Sequence, residues 1–448
     1  MRPLTFIRCL YGEMRGYPRL RIRRQVAKHE QLDHRALGEL SDWLFQNRVR
    51  DAIARFPSYA DRVQQHRGSL PLANELIASD ELPVWTRRDQ RELFDHQQRP
   101  VDSSYVHQTS GSVGMAVRFH VTRESYEWST AVADRSYAMA RAEEGRRSLY
   151  IWAADQLLPS LWQRTKRRVN YRLQRRWFYD AFQNFGDEQC AECCRIINRL
   201  RPETIVGYTG LIIDLARYVR DHPAALRWRA PTLVNAAEGL KPGQREFIQT
   251  HLADEMFLSY GSREFMNIGI ECEHHQGYHI ATDNVVVEIV DDEGRNLPPG
   301  AEGRIVVTHL RNAATPFVRY EIGDYGTMAP PEPCPCGRPF PLLASVDGRM
   351  HDVVYTPDGR RITALYVTYA LRDCLWIEGH QVVQKDHDRV LIRLLTTEEP
   401  TKERMALATQ RLRKKLGEVI AIDYERVDAL ERRETGKIPT VISSIKNH

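Results

Sequence analysis

Long apolar runs are missing from this 448-residue chain: nowhere do eighteen apolar residues follow one another, so nothing in it reads as a membrane-spanning helix. Cysteine is scarce. Eight residues, unevenly spread, are too few for the disulfide framework of a small secreted domain. Net charge is small, +5, which gives a weak attraction to anions without the signature of a nucleic-acid binder; acidic small molecules suit it as well. Internal repeats and low-complexity tracts are also lacking. Residues 1–24 are broken by Arg8, Glu13, Arg15 and four further arginines before any apolar stretch reaches the length of a signal-peptide core. The expected location is cytoplasmic, with thiols reduced.

What is present is an ordinary globular composition, 42% hydrophobic and 27% charged, in a chain long enough for two or three domains. Residues 1–100 read as a helical lead-in. Leu40, Trp43, Leu44, Val49, Ile53 and Phe56 fall at helical spacing, and Thr86 stands where it can cap a helix after the extended segment 82–85. From about 105 to 345, short apolar runs alternate with helical patterns, as in a sheet flanked by helices. Consecutive strands at 285–290 and 303–308, joined by an Asp-Asp-Glu-Gly turn, predict a β-rich subdomain over 265–345. The last hundred residues alternate strands with a charged helix at 402–416, a compact α+β unit.

The chemistry-bearing residues come in an ordered series. Thr109-Ser110-Gly111-Ser112-Val113-Gly114 alternates hydroxyls and glycines, a pattern suited either to an ordinary turn or to an anion-binding nest of backbone N–H groups. Tyr260-Gly261-Ser262-Arg263-Glu264 follows an apolar run, placing it at a strand's carboxyl end. Arg319-Tyr320-Glu321-Ile322-Gly323-Asp324, Gly348-Arg349 and a lone Gly436-Lys437 follow in turn. Their order and spacing resemble the acyl-adenylating enzymes, most nearly the phenylacetate-CoA ligase family and its relatives from capsular polysaccharide gene clusters. The resemblance covers most of residues 82–445.

It implies an α/β fold in two parts. Residues 1–348 would form a large adenylating domain with helix-flanked sheets, and residues 349–448 a small mobile α+β domain. It also implies roles. Thr109, Ser110, Gly111, Ser112 and Gly114, with His107 before them, would hold the β- and γ-phosphates of ATP, and Glu264 the magnesium ion that bridges them. Ala237 and Glu238 would line the adenine pocket, beside Tyr260, Gly261, Ser262 and Arg263. Asp324 and Arg349 would reach the ribose, His351 and Asp352 would form the hinge, and Lys437 would stabilise charge on the carboxylate and α-phosphate. Trp152 and Tyr208 lie in segments that resemble acid-pocket walls. Three positions depart from the family: Met115 in place of a lysine, Arg263 in place of a hydroxyl residue, and His351 at the hinge.

Cys334-Pro335-Cys336-Gly337-Arg338 is a knuckle whose two thiolates could share an ion, and residues 272–279 add another cysteine with histidines. Two such turns in a reduced chain point to structural zinc. The capsular branch carries the same pattern, which implies Cys272, His279, Cys334 and Cys336 as the ligands, with His274 the competitor. Cys190, Cys193 and Cys194 share one predicted helix and read as buried small hydrophobes. Residues 164–176 pack seven basic side chains among aromatics, compatible with a solvated face or with docking to an acidic carrier protein, an anionic membrane or a nucleic acid.

The implied activity is ATP-dependent activation of a carboxylic acid, aromatic acids foremost, to an acyl-adenylate and pyrophosphate, then transfer to a thiol, coenzyme A foremost. Amine or other nitrogen acceptors, a carrier-protein thiol, and a catalytically lapsed nucleotide-binding relative are the alternatives. A homodimer is compatible with all of these.

Overall fold

A computed structural model describes residues 3–445 except 74, 97–103, 110–116, 153–160, 181–184, 237–238, 241–242, 350–352, 358–360, 364–366, 368–370, 372–373, 375, 397–398, 418–419 and 432–438. Five helices open the chain: α1 (Pro3–Met14), α2 (Arg19–His29), α3 (His34–Arg55), α4 (Pro57–Arg67) and α5 (Arg87–His96). Asp33 caps α3 by accepting from the Ala36 amide at 2.7 Å. At α5 the Asp89 amide donates to Thr86 Oγ1 while Asp89 Oδ2 accepts from the Thr86 amide, a reciprocal cap that satisfies two orphan donors. The segment before it forms a single parallel bridge, Trp85 with Tyr320, rather than a full strand.

A hairpin follows, β1 (Ser104–Gln108) against β2 (Arg118–Thr122), and then α6 (Arg123–Met139). The chain next alternates β3 (Ser148–Trp152), α7 (Leu161–Leu173), β4 (Arg176–Asp180), α8 (Asp187–Leu200), β5 (Thr204–Tyr208), α9 (Thr209–Asp221), β6 (Ala230–Ala236), α10 (Gln244–His251) and β7 (Ala253–Ser262). These strands pair in parallel, as crossover helices require. Antiparallel strands continue from β7: β8 (Met266–Ile270), β9 (Tyr278–Ile280), β10 (Val285–Val290), β11 (Glu302–His309), β12 (Tyr320–Met328) and β13 (Leu342–Arg349).

All of them belong to one eleven-stranded sheet, in the order β10-β11-β12-β13-β9-β8-β7-β6-β5-β3-β4. The β-rich stretch expected as an appended subdomain is therefore hydrogen-bonded edge to edge with the parallel half. The core on this side joins Val49, Phe56 and Tyr59 of the lead-in to Phe265, Phe317 and Tyr320. Arg319 fastens it. Fully buried and held at φ +48°, it donates to the Leu82 carbonyl (2.7 Å), the Gly294 carbonyl (2.7 Å) and Asn296 Oδ1 (3.2 Å), beside the Glu288 carboxylate. A bidentate fork of this kind is beyond a lysine.

After β14 (Val353–Tyr355) and β15 (Arg361–Thr363), a second sheet forms from β16 (Ile377–Asp386), β17 (Arg389–Thr396), β18 (Ala421–Arg426) and β19 (Val441–Ser443), in the order β18-β17-β16-β19. Helix α11 (Lys402–Leu416) supplies Ala408, Leu412 and Leu416 to its own separate core. Pro439 precedes β19, an edge strand, where a missing N–H costs least. Among the described residues no helix is long and apolar enough to cross a membrane.

Candidate active site

The parallel strands end in a row. Pairing sets Trp152 beside the end of β5, Tyr208 opposite Ala236, and Ala236 opposite Ser259. The Trp152 and Tyr208 ring centroids lie 4.2 Å apart with their planes tilted by 31°, an aromatic wall at the carboxyl ends where open α/β sheets bind ligands. Next along, β7 runs into its hairpin at Tyr260-Gly261-Ser262. A side chain at Gly261 would stand 2.0 Å from the Met266 carbonyl, so only glycine permits this approach. The register slips between Tyr260 and Gly261.

The Tyr260 phenol donates to Asp324 Oδ2 at 2.9 Å. Asp324, on β12, is paired in register with Arg349 on β13. Three motifs spaced along ninety residues thereby meet. Glu264, in the turn after β7, is buried, and Tyr320 at the start of β12 donates its phenol to Glu264 Oε1 at 3.3 Å. Burial and the adjacent Glu264 carboxylate hold Tyr320 in its protonated, donating form.

The β1–β2 pair is continued by Thr109 and Val117, the residues that flank the hydroxyl-rich segment. Thr109 closes its base: the Thr109 amide donates to the Val117 carbonyl at 3.0 Å, and the Val117 amide to Thr109 Oγ1 at 2.9 Å. His107, two residues earlier, has its pKa lowered, first by burial and then by the charge of Arg263 in the β7–β8 turn. That electrostatic contact ties the loop's stem to the Tyr260–Glu264 segment. Ser262 Oγ is shielded from solvent and has no hydrogen-bond partner among the described residues, an orphan that a phosphate oxygen would satisfy. The residues present thus fit a nucleotide with a hard divalent ion at Glu264.

Ser110, Gly111, Ser112, Gly114, Ala237, Glu238, His351, Asp352 and Lys437 lie outside the described residues, as does the Arg349 side chain. Tyr320 was not singled out from sequence as a partner of Glu264, although it sits inside the motif that contains Asp324. A cavity of ≈ 750 Å³ between α4 and α5, lined by Arg62, Trp85 and Asp89, contains none of the expected site residues.

The cysteine knuckle forms a second centre. Cys272, His279, Cys334 and Cys336 bring their ligand atoms within 4.8 Å of one another. Cys272 Sγ and Cys334 Sγ are 3.6 Å apart, and Cys336 Sγ lies 3.3 Å from His279 Nε2. A tetrahedral zinc with bonds of about 2.3 Å spaces its sulfurs by about 3.8 Å, whereas a disulfide needs about 2.05 Å. His279 Nδ1 lies 3.1 Å from the Phe340 carbonyl, which fixes the tautomer that leaves Nε2 free to ligate. His274 is exposed and contributes its backbone N–H to Cys272 Sγ instead. Cys190, Cys193 and Cys194 are buried in the core between α8 and α9.

With this geometry established, three comparisons bear on the chain. The CapK C-terminal domain family matches residues 354–444. Protein CapK of Staphylococcus aureus is 24% identical over 258 residues, 56% of this chain and 55% of that protein. Phenylacetate-coenzyme A ligase of Aromatoleum evansii is 35% identical over 99 residues, 21% of this chain and 22% of that protein. The matched segments span about half of the first relative's length and about a fifth of the second's. Among solved structures, 2-hydroxyisobutyryl-CoA ligase in its postadenylation state, complexed with an acyl-AMP, superposes with a TM-score of 0.73 at 19% identity, covering 93% of this chain and 92% of that one. The chain therefore shares the fold of 2-hydroxyisobutyryl-CoA ligase, and its residues 354–444 are similar to the CapK C-terminal domain family.

Proposed function

We propose that this protein activates a carboxylic acid with ATP and passes the acyl group to a thiol. The observation that carries the reading is the hydrogen bond from Tyr260 to Asp324, with Arg349 opposite in register and the Thr109 hairpin stem beside Arg263. In the first step a carboxylate oxygen attacks the α-phosphorus, the bond to the bridging oxygen breaks, and pyrophosphate leaves with that electron pair. In the second a thiolate attacks the acyl carbonyl and AMP departs. Asp324 would accept from the ribose hydroxyls, Ser262 and the loop from Thr109 would donate to phosphate, and Glu264 would hold magnesium, which supplies Lewis-acid neutralisation of the triphosphate. Lys437 would meet the charge of the adenylation step.

The closely packed Trp152 and Tyr208 rings favour an aromatic acid, and coenzyme A is the acceptor that the phenylacetate-CoA ligase match favours. Residues 1–348 would bind nucleotide and acid, while residues 349–448 would swing about His351 and Asp352 between steps. The four-ligand centre would hold zinc and clamp the β9–β13 pairing.

ATP–pyrophosphate exchange across a panel of carboxylic acids tests the first step, with Glu264→Ala and Lys437→Ala expected to lose it while staying folded. AMP release with coenzyme A, compared with amine and carrier-protein acceptors, tests the second. Exchange with no acid in the panel would favour a lapsed nucleotide-binding protein, a reading that rests on Met115, Arg263 and His351.

A further inference from the structure

We propose that the outward face of α1, continued by α7, docks on an anionic lipid surface. Helix α1 is built inside out. Its small residues Thr5, Cys9 and Gly12 pack inward, and at Gly12 a Cβ would meet the Arg19 side chain at 2.7 Å. Phe6, Ile7, Leu10, Tyr11 and Met14 fall on the opposite side and are exposed, Ile7 at 61% and Met14 at 78%. Five large apolar side chains on one helical face form a patch that water alone does not explain.

Charge on this face has one sign. Residues 2–28 hold seven arginines and one lysine against a single acid, Glu13. Glu13 is turned to the protein, where Oε1 accepts from the Leu20 and Arg21 amides at 2.7 and 3.0 Å and caps α2. Helix α7 repeats the pattern: residues 161–176 contain seven basic residues and no acid. Trp162, Val169 and Leu173 lie on one side of it and are exposed, Trp162 at 69%, with Arg168 and Arg172 exposed beside them.

The two elements are neighbours. Arg8 of α1 and Arg23 of α2 bind Glu144, at 2.6 and 2.7 Å, and Arg23 also binds Asp134, which Arg176 reaches at 3.5 Å immediately after α7. Tyr126 of α6 lies between them, within electrostatic reach of Arg8, Arg19 and Tyr171. Beyond it, exposed Tyr105 and Val106 extend the apolar strip to the stem of the Thr109 loop, with Arg123 bonded to Tyr105 at 3.4 Å. At this rim Glu124 is paired with Arg21 at 3.0 Å.

An in-plane amphipathic helix binds a bilayer by sinking its apolar face among the headgroups while flanking arginines meet anionic lipid. The charge complementarity favours that occupant. A second copy of this chain would set one arginine-rich face against another, like charge against like.

The test is sedimentation of the full chain with vesicles of phosphatidylglycerol and phosphatidylcholine in equal parts, against phosphatidylcholine alone. Binding to the anionic vesicles, weakened by salt, is expected. Ile7→Asp with Met14→Asp, Arg168→Glu with Arg172→Glu, and Trp162→Ser should each weaken it about tenfold or more at unchanged melting temperature. Failure of the unmodified chain to sediment overturns the proposal. So does full binding by the Ile7/Met14 variant when only the arginine variant is impaired, because pure electrostatics would point to an acidic protein. A dimer in the ultracentrifuge that the Ile7/Met14 substitutions split would reassign the face to self-association and overturn it as well.

Discussion

The Tyr260 phenol donates to Asp324 Oδ2 at 2.9 Å across sixty-four residues of chain. One carboxylate oxygen is thereby occupied and the carboxylate oriented, as a bidentate acceptor for a diol must be. Asp324→Ala is expected to raise the KM for ATP roughly tenfold to a hundredfold, and Tyr260→Phe by less, because hydrogen bonds to charged groups contribute about 1.5–3 kcal/mol. Steady-state kinetics on both variants and the double variant should show strong non-additivity. Additive effects would mean the bond does not position the acid.

Glu264 is buried, with Tyr320 as its donor at 3.3 Å. Glu264→Gln keeps the shape and removes the charge, so the magnesium concentration for half-maximal exchange should rise by an order of magnitude or more. Tyr320→Phe should shift that concentration only slightly, since the carboxylate keeps its charge. Equal magnesium dependence in the Gln variant and the parent would refute the assignment.

The four-ligand centre predicts about one zinc per chain by elemental analysis. Cys272→Ser or Cys336→Ser should abolish it and lower the melting temperature by roughly 5–15 °C, the effect of losing a few kcal/mol in a domain of this size. A metal-free protein of unchanged stability would reduce the centre to a cluster of thiols.

Asp283 is fully buried and receives Arg135 through two bonds, at 2.8 and 2.7 Å, with His29 Nδ1 at 2.9 Å. Burial opposes its charge, but Arg135 and His29 outweigh it and hold the carboxyl well below the usual carboxylate range. Its unfolded pKa is the higher one, so its stabilisation is complete above about pH 4 and fades as pH falls toward the folded value. Asp283→Asn should cost about 3–5 kcal/mol at neutral pH and flatten the acid limb of the stability curve. Urea unfolding at several pH values measures both.

Local signals were the legible ones. The charged run at 402–416 and the short apolar run at 285–290 mark elements that pack on their own neighbours, so local pattern alone finds α11 and β10. Which edge a hairpin joins is not a local property. β13 meets β9 through two residue pairs, Leu342 with His279 and Leu343 with Tyr278, and that pairing is what joins β10–β13 to the rest of the sheet. The Tyr320–Glu264 contact was hidden for the same reason: fifty-six residues separate a phenol and a carboxylate that nothing in either segment's sequence relates.

Arg319 has a consequence for synthesis. It binds the Leu82 carbonyl 237 residues upstream, and the aromatic cluster around it completes the core that α3 and α4 share. During translation at about 5–20 residues per second, those helices emerge tens of seconds before their partners exist. Val49, Phe56, Tyr59 and Val63 then face water in the nascent chain, and a trigger-factor-type holdase has its longest opportunity on the first seventy residues.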